Sequence, residues 1–309
     1  MATGFFSHET CQRHEMGAAH PESPARIAAI VDCLRASGVL AELTQRDAPL
    51  AQREDLLMAH PERHVESLHR QAPAEGLAWV DPDTAMNPHT LEASLRAAGA
   101  VAAAVRAVLA GEMANAFCAV RPPGHHAERA SAMGFCFFNN VAVGAHVALA
   151  AGLERVAILD FDVHHGNGTV DVFKDDERVL VCSSFQHPFY PGRLHDVDRP
   201  NIVNTPLAEG TRSPEFRRRV EQDWLHALDA HRPQLLLVSA GFDAHAHDPL
   251  GGLELHEPDY RWVTELITDA ARRHANSRVV SALEGGYDLD ALARSADVHL
   301  QVLREADPG

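Results

Sequence analysis

Hydrophobic and polar positions divide the chain into two kinds of segment. Short apolar runs at 115–120, 155–161, 178–183, 201–205, 235–239 and 278–283 are bounded by Gly or polar turns. Runs of that length read as buried strands. Between them lie longer stretches with helical periodicity. Ser23 as N-cap with Pro24 in the first turn opens a helix that stops at Gly38. Further helices are predicted over 61–70, 89–113 (Ala-rich), 140–151 (closed by Gly152), 168–174, 214–230, 258–274 and 289–304. A loop holding Pro188, Pro191 and Pro200 separates two of the strands. Strands alternating with helices predict an α/β fold with a mostly parallel sheet and helices on both faces.

Four of the strands end in Gly-containing turns that carry polar groups. The run at 155–161 leads into Asp160, Asp162, His164 and His165. Alternation along an extended strand puts Asp160, Asp162 and His164 on one face and Phe161 and Val163 on the other. Two acids and an imidazole converging at a buried strand end are costly to leave unpaired, and a divalent cation satisfies them, since carboxylate oxygen and imidazole nitrogen both ligate zinc. An isolated Asp-x-His is more often a capped acidic turn, but three further clusters shift the balance. One is a Pro-Pro-Gly turn followed by His125 and His126. Another is the 241–245 segment with Asp243 and His245. The third is Glu284-Gly285-Gly286-Tyr287. In open parallel sheets ligands sit beyond the carboxyl ends of the strands, where these groups lie.

Seven segments carry a resemblance to the zinc-dependent histone deacetylase family, its class II branch in particular. They are HPESPARI (20–27), DPDT (81–84), RPPGHHAE (121–128), AMGFCFFNN (132–140), LDFDVHHGNGT (159–169), SAGFDAHAHDPLGG (239–252) and EGGYDL (284–289), in family order over most of the chain. Binuclear manganese hydrolases of the arginase type share the fold, but want further metal-binding acids. The resemblance implies a single catalytic domain over 1–309, an arginase/deacetylase fold with about eight strands, and one catalytic zinc on Asp162, His164 and Asp243. It implies that His126 is general base and then acid, that His125 gives electrostatic support with Asp160 as its partner, and that Tyr287 donates to the oxyanion. Asn167, facing the second histidine, is the class II choice where class I carries Asp. Gly285 and Gly286 would let the tyrosine loop move.

The resemblance also implies a structural potassium ion near Asp160, Asp162, His164, Ser183 and Ser184, although a serine in a strand-end turn is nearly as good a reading of Ser183. For the substrate it implies contacts from Asp83, Gly134, Phe135, Tyr190, Leu250 and Gly286. Phe135 would be one aromatic wall of an acyl-lysine tunnel, and Tyr190 the other, where relatives usually carry Phe. Asp81 and Asp83 fall in the rim loop, and Arg26 matches an arginine of the acetate exit route. Nothing is assigned to His245, His247 or His256.

Composition narrows the partners. The formal net charge of −16 disfavours direct nucleic-acid binding and suits cationic partners, though acidity also serves solubility alone. Cys11, Cys33, Cys118, Cys136 and Cys182 have no CxxC spacing, which argues for a reducing compartment rather than a disulfide scaffold. Residues 1–10 resemble no signal peptide, and no apolar run is long enough to span a bilayer. A cytoplasmic location is therefore expected, with no membrane partner. The substrate is expected to be an acylated-lysine protein or peptide. The alternative is a small acylated amine such as an N-acetylpolyamine; Leu250 stands where selective relatives place an acid. A non-catalytic acyl-lysine binding module is a third class.

Overall fold

The computed structural model describes residues 2–306. Its centre is an eight-stranded sheet, every pairing of which is parallel. In chain order the strands are β1 (Thr3–Ser7), β2 (Thr44–Asp47), β5 (Asn115–Cys118), β6 (Val156–Asp160), β7 (Val179–Gln186), β8 (Ile202–Leu207), β9 (Leu236–Ala240) and β10 (Val279–Leu283). A separate antiparallel hairpin pairs β3 (Ala78–Asp81) with β4 (Thr84–Met86). The sheet order is β2-β1-β5-β10-β9-β6-β7-β8.

That order puts the four chemistry-bearing strands, β5, β10, β9 and β6, side by side in the middle. All their residues are buried, so the sheet is covered on both faces. This is why their sequences are continuous apolar runs rather than alternating ones. One set of packed helices comprises α1 (Ala25–Ser37), α7 (Ser213–His231), α8 (Glu257–His274) and α9 (Leu289–Glu305); another comprises α2 (Arg53–Ala59), α4 (Thr90–Leu109), α5 (Asn140–Ala150) and α6 (Asn167–Phe173). The short α3 (Glu62–Gln71) packs beside α2. Among the described residues no helix is long and apolar enough to cross a membrane. All five cysteines are free.

Two expectations need correction. Ser23 does not cap α1: Pro24 is the N-cap residue, and no side chain bonds the first turn. Gly38 does end the helix, in the left-handed region at φ 84°. The strand expected to carry Asp160, Asp162 and His164 on one face stops at Asp160. The later two residues lie on the bend beyond it, so a turn rather than strand alternation brings them together. β1, β2, α2 and the β3–β4 hairpin carry too weak a pattern to be predicted. β2, with the sequence TQRD, is a largely exposed edge strand, and its polar row suits an edge better than a core.

Candidate metal and hydrolytic site

The carboxyl ends of β5, β6, β9 and β10 meet around Asp162, His164 and Asp243. His164 Nδ1 lies 3.1 Å from Asp162 Oδ1 and 3.1 Å from Asp243 Oδ2. One donor atom from each of the three residues falls within 4.8 Å of the others. Ligands about 2.0–2.2 Å from a tetrahedral zinc stand roughly 3.3–3.6 Å from one another, so the trio fits one small cation with little rearrangement. The unused carboxylate oxygens are braced by backbone: Val163 N–H donates to Asp243 Oδ1 at 2.8 Å, and Gly285 N–H donates to Asp162 Oδ2 at 2.8 Å.

Gly285 also has a steric reason to be glycine. A Cβ there would fall 2.0 Å from Asp243 Oδ2 and 2.6 Å from Asp162 Oδ2, so only glycine lets this backbone come so close to the carboxylates. Gly286, at φ 120°, needs glycine for its backbone conformation.

Burial and mutual charge bias all three groups. Burial pushes the Asp243 carboxyl up to about 7, and the adjacent Asp162 charge adds to the effect. Burial opposes ionisation of Asp162 too, yet the neighbouring His125 and His164 hold it below the usual carboxylate range. Burial would depress His164, but the two carboxylates lift it to about 10. The acids thus pull a positive charge into the cage.

The tandem histidines split in the opposite sense. His125 Nδ1 is 2.9 Å from Asp160 Oδ2. Burial disfavours its imidazolium, but Asp160 and Asp162 raise its pKa well above the ordinary value. His126 Nδ1 is 2.7 Å from Asn167 Oδ1. Burial, then the charges of His125 and His164, hold its pKa well below the ordinary value. The two rings thus sit in oppositely biased surroundings, with their centroids 4.0 Å apart.

A cleft of about 490 Å³ opens over this centre, and His126, His164 and Tyr287 reach its floor. Gly134, Phe135, Tyr190 and Leu250 line it, whereas Gly286 is not among its lining residues. Phe135 meets the Tyr287 ring edge-on at 6.1 Å, and Tyr190 meets His126 edge-on at 5.2 Å. Phe189, which sequence reasoning passed over, stacks on His164 at 5.3 Å. Asp83 lines the cleft too, but its Oδ1 also accepts from Gly134 N at 3.2 Å and Thr84 Oγ1 at 2.7 Å. It therefore shapes the wall as well as facing the opening, whereas Asp81 is not among the lining residues.

Asp160 pairs in register with Ser183 across β6 and β7. Ser183 Oγ is buried without a partner, and Ser184 is buried beside it. A buried hydroxyl with no partner among the described residues is the one unsatisfied polar group at this place.

Tyr287 is held from two sides. Asp248 Oδ2 accepts its backbone N–H at 2.6 Å and that of Asp288 at 3.2 Å. The Arg26 guanidinium lies 4.9 Å from its ring centroid and donates to the carbonyls of Gly286 (2.6 Å) and Glu284. Burial, first among the causes, raises the phenol well above its ordinary range, so Tyr287 remains a hydrogen-bond donor. Behind Arg26, Glu22 bridges Arg26 and Arg121, and all three side chains are fully buried. Burial works against the Glu22 carboxylate, yet Arg121 and His14 hold its pKa well below the usual value. Glu22→Gln leaves two buried guanidinium groups undercompensated. It is expected to cost about 3–5 kcal/mol of unfolding free energy, read from the denaturant midpoint; a loss under about 1 kcal/mol would contradict the bridge. Because the folded pKa is depressed, this stabilisation is present above the unfolded pKa and fades as pH falls through the folded one.

Glu284, named in the sequence only as part of a polar strand-end cluster, has a specific bracing role. Its Oε2 accepts from Gly124 N (2.6 Å) and His125 N (3.1 Å), and its Oε1 from Ser239 Oγ (3.1 Å). It ties the β5, β9 and β10 ends together, and burial raises it to about 7. An acid placed directly before the double glycine was the available signal.

Comparison with known proteins fits this geometry. The family described as Histone deacetylase domain matches residues 20–303. A "Histone deacetylase-like amidohydrolase" of Pseudomonas aeruginosa is 40% identical, the match covering 92% of this chain and 81% of that protein. A "Probable deacetylase" of Archaeoglobus fulgidus is 34% identical, over 99% and 90% respectively. Among solved structures, the HDA15 HD domain superposes with a TM-score of 0.93 at 33% identity, covering 98% of this chain and 88% of that one. The sheet of eight parallel strands is that of the deacetylase/arginase fold, and the chain belongs to the histone deacetylase family, whose activity is that of a deacetylase or amidohydrolase.

Proposed function

We propose that residues 1–309 form one catalytic domain, a zinc-dependent amidohydrolase that removes acetyl or another short acyl group from acylated lysine side chains. The observation that carries this reading is the trio Asp162, His164 and Asp243, of which His164 lines an aromatic-walled cleft, beside the tandem pair His125 and His126. Zinc held by the trio supplies Lewis-acid polarisation of the amide carbonyl and acidifies water.

The chain's own groups do the rest. Phe135 and Tyr190 flank the substrate's alkyl chain, and Phe189 packs on His164. His126 takes the proton of the attacking water through Nε2, since its Nδ1 is engaged by Asn167. His125, paired with Asp160, keeps its positive charge and steadies the negative charge that develops at the carbonyl. The Tyr287 phenol donates to that oxygen. His126 then returns its proton to the departing amine, so the same group serves as base and acid. Ser183, Ser184, Asp160 and the 162–164 backbone would hold a potassium ion beneath the centre.

A second reading, a small cationic amide such as an N-acetylpolyamine, draws on one observation. Glu209 lines the same cleft as Leu250, supplying a carboxylate that sequence alone did not place there. Glu209 is exposed, so its attraction is screened, and the acyl-lysine reading is kept. Acetyl-lysine peptides are expected to exceed N-acetylputrescine and N-acetylspermidine in kcat/KM. Leu250→Glu is expected to move that ratio towards the polyamines by adding an acid deeper in the slot. A wild-type preference for acetylspermidine over every peptide tested, lost in Glu209→Gln, would establish the second reading instead.

A further inference from the structure

Asn167 has two chemically different ends, and the structure fixes which way each points. Its Oδ1 faces His126 Nδ1 at 2.7 Å. Around its Nδ2 stand Glu128 Oε1 at 2.8 Å, Met133 Sδ at 3.3 Å and the His126 carbonyl at 3.5 Å, all of them acceptors. A carboxylate has no hydrogen to give, so rotating the amide would set Oδ1 against Glu128 Oε1. Glu128 is itself buried and meets Arg193 Nε at 3.0 Å. Arg193 comes from the loop between β7 and β8, which also carries Phe189 and Tyr190.

The orientation has a chemical consequence. Because Oδ1 can only accept, the hydrogen of a neutral His126 ring sits on Nδ1 and Nε2 is bare. A bare Nε2 is what proton removal from water requires. We propose that Glu128, anchored by Arg193, is a positioning residue that locks the Asn167 amide and through it the tautomer of His126. This rests on the reading of His126 as general base.

The test uses the size-conserving exchange Glu128→Gln. A glutamine can turn its NH₂ towards residue 167. Asn167 is then free to rotate and present Nδ2 to His126 Nδ1, which moves the ring hydrogen to Nε2 and blocks proton acceptance. Glu128→Gln is expected to lower kcat by roughly 10- to 100-fold, part of what a general base contributes, with KM changed by less than about 3-fold. Asn167→Asp alone places a second buried carboxylate against Glu128 and is also expected to be impaired. In the double variant, Glu128→Gln with Asn167→Asp, the introduced amide donates to the introduced carboxylate, which offers His126 only acceptors. Activity is expected to recover to within about 5-fold of wild type, a strongly non-additive pair.

A merely structural role for Glu128 gives no such rescue. Wild-type kcat in Glu128→Gln, or a double variant no better than Glu128→Gln, would overturn the proposal. If the wild-type protein shows no turnover, the general-base reading fails separately. The ¹⁵N shifts of the His126 ring, identified by their loss in His126→Ala, then decide. The Nδ1–H form in wild type and the Nε2–H form in Glu128→Gln supports the lock; the same form in both overturns it.

Discussion

Asp162→Ala is expected to leave the protein folded, without bound zinc and without measurable deacetylase turnover. The side chain is one of the three proposed protein ligands, and its Oδ1 also lies 3.1 Å from the His164 ring. Loss of a supporting partner behind a ligand typically costs about 10–100-fold in metal affinity, and loss of a ligand itself costs more. Asp162 also accepts from the Gly285 amide, so Asp162→Asn is the companion variant: it keeps a side chain of the same size while weakening the ligand. Metal content by elemental analysis, with circular dichroism to confirm folding, reads the outcome. A folded Asp162→Ala protein that keeps one zinc per chain and turns over peptide would place the metal elsewhere.

Tyr287→Phe is expected to lower kcat by about 10²–10³-fold, the usual cost of removing one oxyanion donor, while KM stays within about 3-fold. The phenyl ring preserves the packing against Phe135 and Arg26, and Asp248 still holds the backbone of the loop. Only the hydroxyl is lost, and the donor matters more in the transition state than in the ground state, so kcat rather than KM carries the effect. Equal binding of an acyl-lysine peptide by wild type and variant, with no acetate released by either, would make the protein a binding module. A kcat within about 2-fold of wild type would remove Tyr287 from the chemistry.

The middle of the sheet was legible in the sequence because its strands are buried on both faces and therefore read as unbroken apolar runs. Their neighbourhood was not: nothing local says that β10 lies between β5 and β9. Alternation along a strand does not place Asp160, Asp162 and His164 on one face, because β6 ends at Asp160; it is the family motif, not strand geometry, that points to Asp162, His164 and Asp243. The roles of the supporting groups were not legible, for a common reason. Glu22, Glu128, Glu284 and Asp248 act through contacts between distant parts of the chain, such as Glu284 with Gly124 and Asp248 with Tyr287. A carboxylate in a sequence looks the same whether it meets water or a buried amide. Glu209 enters the cleft because the turn after β8 bonds to the 250–252 segment, Gly210 N–H donating to the Gly252 carbonyl at 2.7 Å, a contact no spacing rule anticipates.

The most direct test of the central claim is acetate release from an acetyl-lysine peptide by purified protein, measured before chelation, after chelation and after zinc is restored. The account predicts turnover that disappears with the metal, returns with about one zinc per chain, and stays absent in Asp162→Ala throughout. Turnover that survives complete removal of metal from the folded protein, or that requires two manganese ions per chain, would contradict it.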